Sequence, residues 1–325
     1  MSEKKNISPP ESAVGRRDFM KFMGTAALGA GASGVPGASE AAAPSLPSSF
    51  PKVKEITLPI THPDALAVTA EDHLLAGGEN LVLHLDRNGA ELARYPIDGR
   101  VFALLSLGNT LLLGFRHGVV HFDPATEKQD RWEGFNERSC VTAVTKDENH
   151  IFVADAGNRV VLRYDLQGRL INRIGDNKDD GTPGFIVPSP YFGISMDPLG
   201  MLWVINPGRH GVESFRPDGS PVSTWYKAGA SLDAFCGCCN PIHIAWRSDH
   251  SLVTVEKGLN RVKVYAPDFS IRGLVQGPLE ITGLPVNLSP REAPPLTGLA
   301  VDSQDRILVL NARDRSISIY EEKNA

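Results

Sequence analysis

Residues 141–175 read as short strands joined by tight turns, and the same pattern returns along nearly all of the chain after Pro51. Its core runs Ile151-Phe152-Val153-Ala154-Asp155, a turn through Ala156-Gly157-Asn158, Val160-Val161-Leu162-Arg163-Tyr164, and a second turn from Asp165 to Gly168. Asp and Asn beside glycine suit such turns, because their short side chains bond to the local backbone and tolerate left-handed geometry. Weaker copies start at Ala65, Phe102, Phe192, Ile242 and Thr297, which makes six units in all. Their spacing is about forty residues early and about fifty later, with room for four strands in each, the signature of a propeller blade. The chain is therefore expected to be all-β, a six-bladed β-propeller of four-stranded antiparallel blades. A pair of separate sandwiches fits less well, because the copies are too alike and too evenly spaced. The last unit ends near Tyr320, where its third strand should stop, while residues 53–58 alternate as an orphan strand before the first unit. We expect this early strand to complete the sixth blade and so remove an exposed sheet edge.

Asp155, Asn158, Arg159, Val160, Asp165 and Gly168 match the NHL repeat, which the unit at 141–175 closely resembles. The resemblance is fainter in the other units, at Asn80 with Asp86-Arg87-Asn88-Gly89, at Pro217-Asp218-Gly219, and at Asn260-Arg261-Val262. It implies a six-bladed propeller over residues 51–325.

The first part of the chain has a different composition. Charged residues lead into Arg16-Arg17-Asp18-Phe19-Met20-Lys21, followed by a glycine- and alanine-rich stretch from Gly24 to Val35. That order reads as an export signal. The paired Arg16 and Arg17 resemble those of the twin-arginine (Tat) route, which implies a periplasmic or other extracytoplasmic location. Because that route carries folded proteins, often with a cofactor already inserted, it also raises the expectation of a cofactor. The apolar stretch is about a dozen residues where a spanning helix needs about twenty, so no membrane span is expected in the mature chain. We expect a signal at 1–41 and a linker at 42–50. Cutting after Ala41 would remove Lys4, Lys5, Arg16, Arg17 and Lys21 with Glu3, Glu11, Asp18 and Glu40, moving the formal charge from −5 to −6. A mildly acidic protein is a poor partner for nucleic acid.

Extra length falls at 176–190, 227–240 and 278–295, each between the outer strand of one blade and the inner strand of the next. Such connections emerge on one face of a propeller, and loops gathered over a rigid scaffold are where binding sites usually lie. A protein partner or small-molecule ligand is expected on this face. The second insert carries Cys236-Gly237-Cys238-Cys239, three of the four cysteines of the chain. Thiolates this close can share a soft metal ion or cluster. Iron, zinc or an iron–sulfur cluster held by Cys236, Cys238 and Cys239, with Cys140 or His243 as a further ligand, is the leading expectation. Cys-x-Cys-Cys departs from ferredoxin spacing, and disulfides are the competing fate of the same thiols. His243 lies two residues past Pro241 in an inner strand, where alternation points it into the channel or into the sheet interface. His62 has a weaker form of the same placement. The aromatic residues Phe185, Tyr191, Phe192, Trp225, Tyr226 and Phe235 either line a groove or pack insert against blade. The acidic run at 176–181 lacks the bidentate Glu of a calcium loop.

Three functions follow from these residues. The first is a redox or metal-handling propeller using the cysteine loop at the channel mouth. The second is a metal-dependent lyase or hydrolase, since the chain also resembles propeller enzymes that hold a metal on the channel axis, although no even ring of His, Asp, Asn or Glu is present. The third is a non-enzymatic scaffold with oxidised cysteines. No Ser-His-Asp order, glycine-rich phosphate loop or haem-attachment motif is present.

Overall fold

The computed structural model describes residues 48–175, 184–277 and 294–324. The expected export signal with Arg16 and Arg17, most of the expected linker, and residues 176–183 and 278–293 of two inserts lie outside the described residues.

Two short strands come first, β1 (Ser48–Ser49) and β2 (Lys52–Thr57). Blade one follows with β3 (Pro63–Val68), β4 (Leu74–Leu85) and β5 (Glu91–Arg100), and blade two with β6 (Ala103–Leu107), β7 (Thr110–Phe115), β8 (Gly118–Asp123) and β9 (Lys128–Arg131). Blade three has β10 (Val141–Lys146), β11 (His150–Asp155), β12 (Val160–Asp165) and β13 (Leu170–Ile174). Blade four has β14 (Ile194–Met196), β15 (Leu202–Asn206), β16 (Gly211–Phe215) and β17 (Pro221–Tyr226). Blade five has β18 (His243–Trp246), β19 (Leu252–Val255), β20 (Val262–Tyr265) and β21 (Ile271–Gln276). The last strands are β22 (Leu296–Val301), β23 (Ile307–Asn311), β24 (Ser316–Tyr320) and β25 (Lys323–Asn324). The inner strands neighbour one another in the order β3, β6, β10, β14, β18, β22 and back to β3, which closes the ring. No helix among the described residues is long and apolar enough to cross a membrane.

Blade one is also four-stranded, although β4 is unbroken. A straight strand of its length would hold its ends about 35 Å apart, yet His73 Nδ1 and His84 Nε2 are 3.0 Å apart. The strand must double back, and Asn80, with φ of 58°, marks the turn. Its first half pairs with β3 and its second half with β5.

The sixth sheet has the order β2-β24-β23-β22, with Ile56 opposite Ile317. The early strand therefore completes the last blade, one residue earlier than expected. A second tie follows, as β1 pairs with β25.

Strand alternation explains the core. In β11, Phe152 and Ala154 belong to an apolar cluster shared with blade four, while Ile151 and Val153 belong to one shared with blade two. Six such clusters lie between successive blades, so the middle strands are apolar on both faces. Outer strands such as β9 face solvent and are charged. The recurrent Asp turns behave as their chemistry dictates. Asp165 Oδ1 accepts from the amides of Gln167 and Arg169, and Gly168 N bonds back to Asp165 O at 3.1 Å with a φ of 80°. The matching Asp86 does the same through Asn88 and Ala90. These amide bonds hold both carboxyls below their ordinary pKa.

Candidate functional site

The NHL-like positions serve structure. Asp155 Oδ1 accepts from the amides of Cys140, Gly157 and Asn158, tying the entry of inner strand β10 to the turn between β11 and β12. Asn158 Nδ2 completes the knot on Asp155 Oδ2 at 2.7 Å. A Cβ on Gly157 would sit 1.7 Å from Arg138 O, so the turn admits only glycine.

The cysteine insert folds back on itself. Phe235 N donates to Lys227 O at 2.8 Å and Gly229 N to Phe235 O at 3.1 Å. Phe235, fully buried, stands edge-on to Trp225 with centroids 5.4 Å apart. Beneath it lie Glu256 and Lys263, both with no solvent exposure, and the nearly buried Arg261. Lys263 Nζ pairs with Glu256 and donates to the carbonyls of Leu232 at 3.0 Å and Ala234 at 2.9 Å. Arg261 NH2 bonds Glu256 Oε2 at 2.7 Å and Ala234 O at 3.1 Å. A buried charge must be paired and hydrogen-bonded to persist, and here two cations anchor both a carboxylate and the insert backbone. Burial pulls the Lys263 amine down to about 8.

The Cys236–Cys239 loop is fastened next to this anchor. Asn240 Oδ1 accepts from Lys257 N at 2.8 Å, and its Nδ2 donates to Lys257 O at 3.0 Å and to Cys236 O. His210 of blade four bonds Gly237 O through Nε2. Gly237 takes a φ of 86°, a geometry that favours glycine. Within the loop, Cys238 Sγ and Cys239 Sγ are 3.1 Å apart; Cys238 is exposed and Cys239 only 3% exposed. The contact with Cys239, and then burial, push the Cys238 thiol above its ordinary pKa. Burial also raises Cys236, against the pull of Arg261.

The structure brings Cys236, Cys238 and Cys239 onto one loop but leaves Cys140 elsewhere. Cys140 packs against the apolar cluster of blades three and four, and burial raises its thiol. All four cysteines are free thiols. Among the described residues, no group of three or more His, Cys, Asp and Glu side chains is placed to hold a metal ion.

His243 lines the central channel, which narrows to a cavity of about 90 Å³ bordered by all six inner strands and including Asp64, Thr142 and Thr297. Its Nε2 is buried without a hydrogen-bond partner, and burial lowers the imidazole to about 4. Asp64 is engaged by Arg100, with Nε to Oδ2 at 2.6 Å and NH2 to Oδ1 at 2.8 Å. Thr142 and Thr297 donate to Phe192 O and Pro63 O. The channel residues thus do not fit an axial metal. His62 is mostly exposed, 3.9 Å from Glu79.

The loop runs through Asn240 into inner strand β18, whose His243 borders the channel. Lys257 Nζ sits 4.9 Å from the Tyr191 ring centre and 2.9 Å from Ser189 Oγ. Burial, and then the Asp64 carboxylate, raise the Tyr191 hydroxyl. Most of the insert aromatics pack inward. Phe185 meets Phe192 at 5.1 Å and Phe215 at 5.8 Å between centroids.

Sequence reading missed Lys257, His210 and the Glu256–Arg261–Lys263 anchor. Lys263 alternates with Val262 and Val264, which marks one face of its strand as chemically different. That the face meets an insert carbonyl rather than water is set by the tertiary fold.

No protein-family profile matches this chain, and no curated protein matches it. Among solved structures it is similar to a streptogramin B lyase at 15% identity, with a TM-score of 0.53, over 79% of this chain and 78% of that one. It is also similar to virginiamycin B lyase from Staphylococcus aureus at 13% identity, with a TM-score of 0.57, over 84% of this chain and 99% of that one. At this identity the likeness shows the propeller fold alone.

Proposed function

We propose that this chain is an exported NHL-type propeller that handles a thiophilic metal ion as cargo through its cysteine loop, with Cys238 and Cys239 as the donor pair. The observation that carries the reading is their sulfur–sulfur approach of 3.1 Å on a loop tied down by Asn240 and His210. Zinc in a structural site, or an iron–sulfur cluster, asks for four donors, and no group of even three is assembled among the described residues. Two thiols, one of them exposed, suit a soft monovalent ion such as Cu(I) that must enter and leave. The Arg16-Arg17 pattern supports export.

A second reading, a lyase, is favoured by the likeness to the streptogramin B and virginiamycin B lyases and by the unpartnered His243 Nε2 in the channel. Against it, Asp64 is already held by Arg100, and among the described residues no cluster of three or more metal-ligating side chains joins His243.

Anaerobic titration of reduced, metal-free protein with Cu(I) against a chromophoric chelator separates the two. Retention of about one ion by wild type and His243→Ala, lost in a Cys238→Ser/Cys239→Ser variant, is the expected result for a two-sulfur site. Full retention by the double variant sinks the proposal.

A further inference from the structure

We infer that Cys238 and Cys239 also form a reversible vicinal disulfide, a modification that closes the donor pair when the loop meets a disulfide oxidant such as oxidised glutathione. This deepens the reading of the loop as the functional site and rests on that reading.

Three features of the loop favour this bond. The sulfurs are 3.1 Å apart, already in contact and about 1 Å from bonding distance. Cys238 is open to an oxidant while Cys239 is buried behind it, which sets the order of events. The backbone around the pair is fixed at Cys236 and Asn240 on one line and at Gly237 on another, so the pair does not drift apart.

The chemistry balances in two exchanges. Cys238 gives its proton to solvent and its thiolate attacks the oxidant, whose S–S bond breaks; one glutathione leaves as a thiolate with the electron pair and takes up a proton, giving a mixed disulfide at Cys238. Cys239 then gives its proton to solvent, attacks Cys238 Sγ and expels the second glutathione. Two protein thiols are oxidised and one glutathione disulfide is reduced to two thiols.

Lability follows from geometry. Adjacent residues hold their Cα atoms about 3.8 Å apart across a trans peptide. Ordinary disulfides span about 4.4–6.8 Å, and departures from that range store strain and make the bond easier to reduce. Strained, exposed disulfides are the switchable ones. The closed loop should therefore reopen in glutathione buffers that leave structural disulfides intact.

The test uses full-length, reduced, metal-free protein incubated with oxidised glutathione, alkylated and mapped by mass spectrometry. Expected is a loss of about 2 Da confined to the peptide holding both residues, with Cys140 and Cys236 alkylated. Cys236→Ser should close like wild type, whereas Cys239→Ser should stop at a glutathione adduct on Cys238. A crosslink from Cys236 to either residue, or a lasting glutathione adduct in wild type, would overturn the inference. Because no metal is present, ring closure with failed Cu(I) retention would defeat the metal-handling proposal alone, and Cu(I) retention without ring closure would defeat only this one.

Discussion

The side chain of Asn240 stands in for a strand partner of Lys257, accepting from its amide at 2.8 Å and donating to its carbonyl at 3.0 Å. One amide thereby welds the cysteine loop to the turn after β19. A third bond, to Cys236 O, extends the weld to the first thiol-bearing residue.

Asn240→Ala should cost about 1–3 kcal/mol, since it leaves part-buried backbone groups of Lys257 and Cys236 without these partners. Chemical denaturation gives the energy. The alkylation rate of Cys239, at 3% exposure, should rise in the same variant; an unchanged rate would mean that the loop is held elsewhere.

Ring closure predicts a strong response to changes far from the loop. Ile56, 7% exposed and opposite Ile317, packs between blades six and one. Ile56→Ala should cost about 2–4 kcal/mol in denaturant melts. Removing residues 48–57 should destabilise the whole ring, whereas loss of blade six alone, with two separate transitions, would argue against a continuous closure.

The architecture was largely legible because its causes are local. Asp165 and Gly168 announce a hairpin whose amide bonds close within the same few residues, and Ile151 to Ala154 alternate between two apolar clusters. Closure was legible because a strand without a partner and a blade without a fourth strand meet at opposite ends of the chain. The site was only partly legible. Cys236, Cys238 and Cys239 announce themselves by spacing, and His243 by its register in β18. Cys140 shares a register position with Pro241 but sits at a different blade, and equivalence in a repeat is not proximity around a ring. His210 and Lys257 reach the loop through the fold, with no pattern of their own.

The buried anchor should respond asymmetrically. Glu256→Gln removes the carboxylate that Lys263 and Arg261 share and leaves both cations buried. The cost should be about 3–5 kcal/mol, measured in denaturant. A cost below about 1 kcal/mol, the scale of an exposed pair, would contradict the pairing.

His243 should give stability a distinct pH dependence. Burial lowers its folded pKa from 6.5 to about 4. Between those values the unfolded chain binds the proton and the folded one does not, so stability falls as pH drops from 6.5 towards 4 and levels off below. The loss is at most about 3 kcal/mol. Subtracting the profile of His243→Gln from that of wild type isolates it, and superimposable profiles would place the imidazole in water.

The most direct measurement is X-ray absorption on the anaerobically Cu(I)-loaded protein beside the Cys238→Ser/Cys239→Ser variant. A first shell of sulfur alone, with about two donors, present in wild type and absent in the variant, is the predicted result. A nitrogen-containing shell, or a sulfur shell that survives the double substitution, would contradict a metal-handling loop built on this cysteine pair.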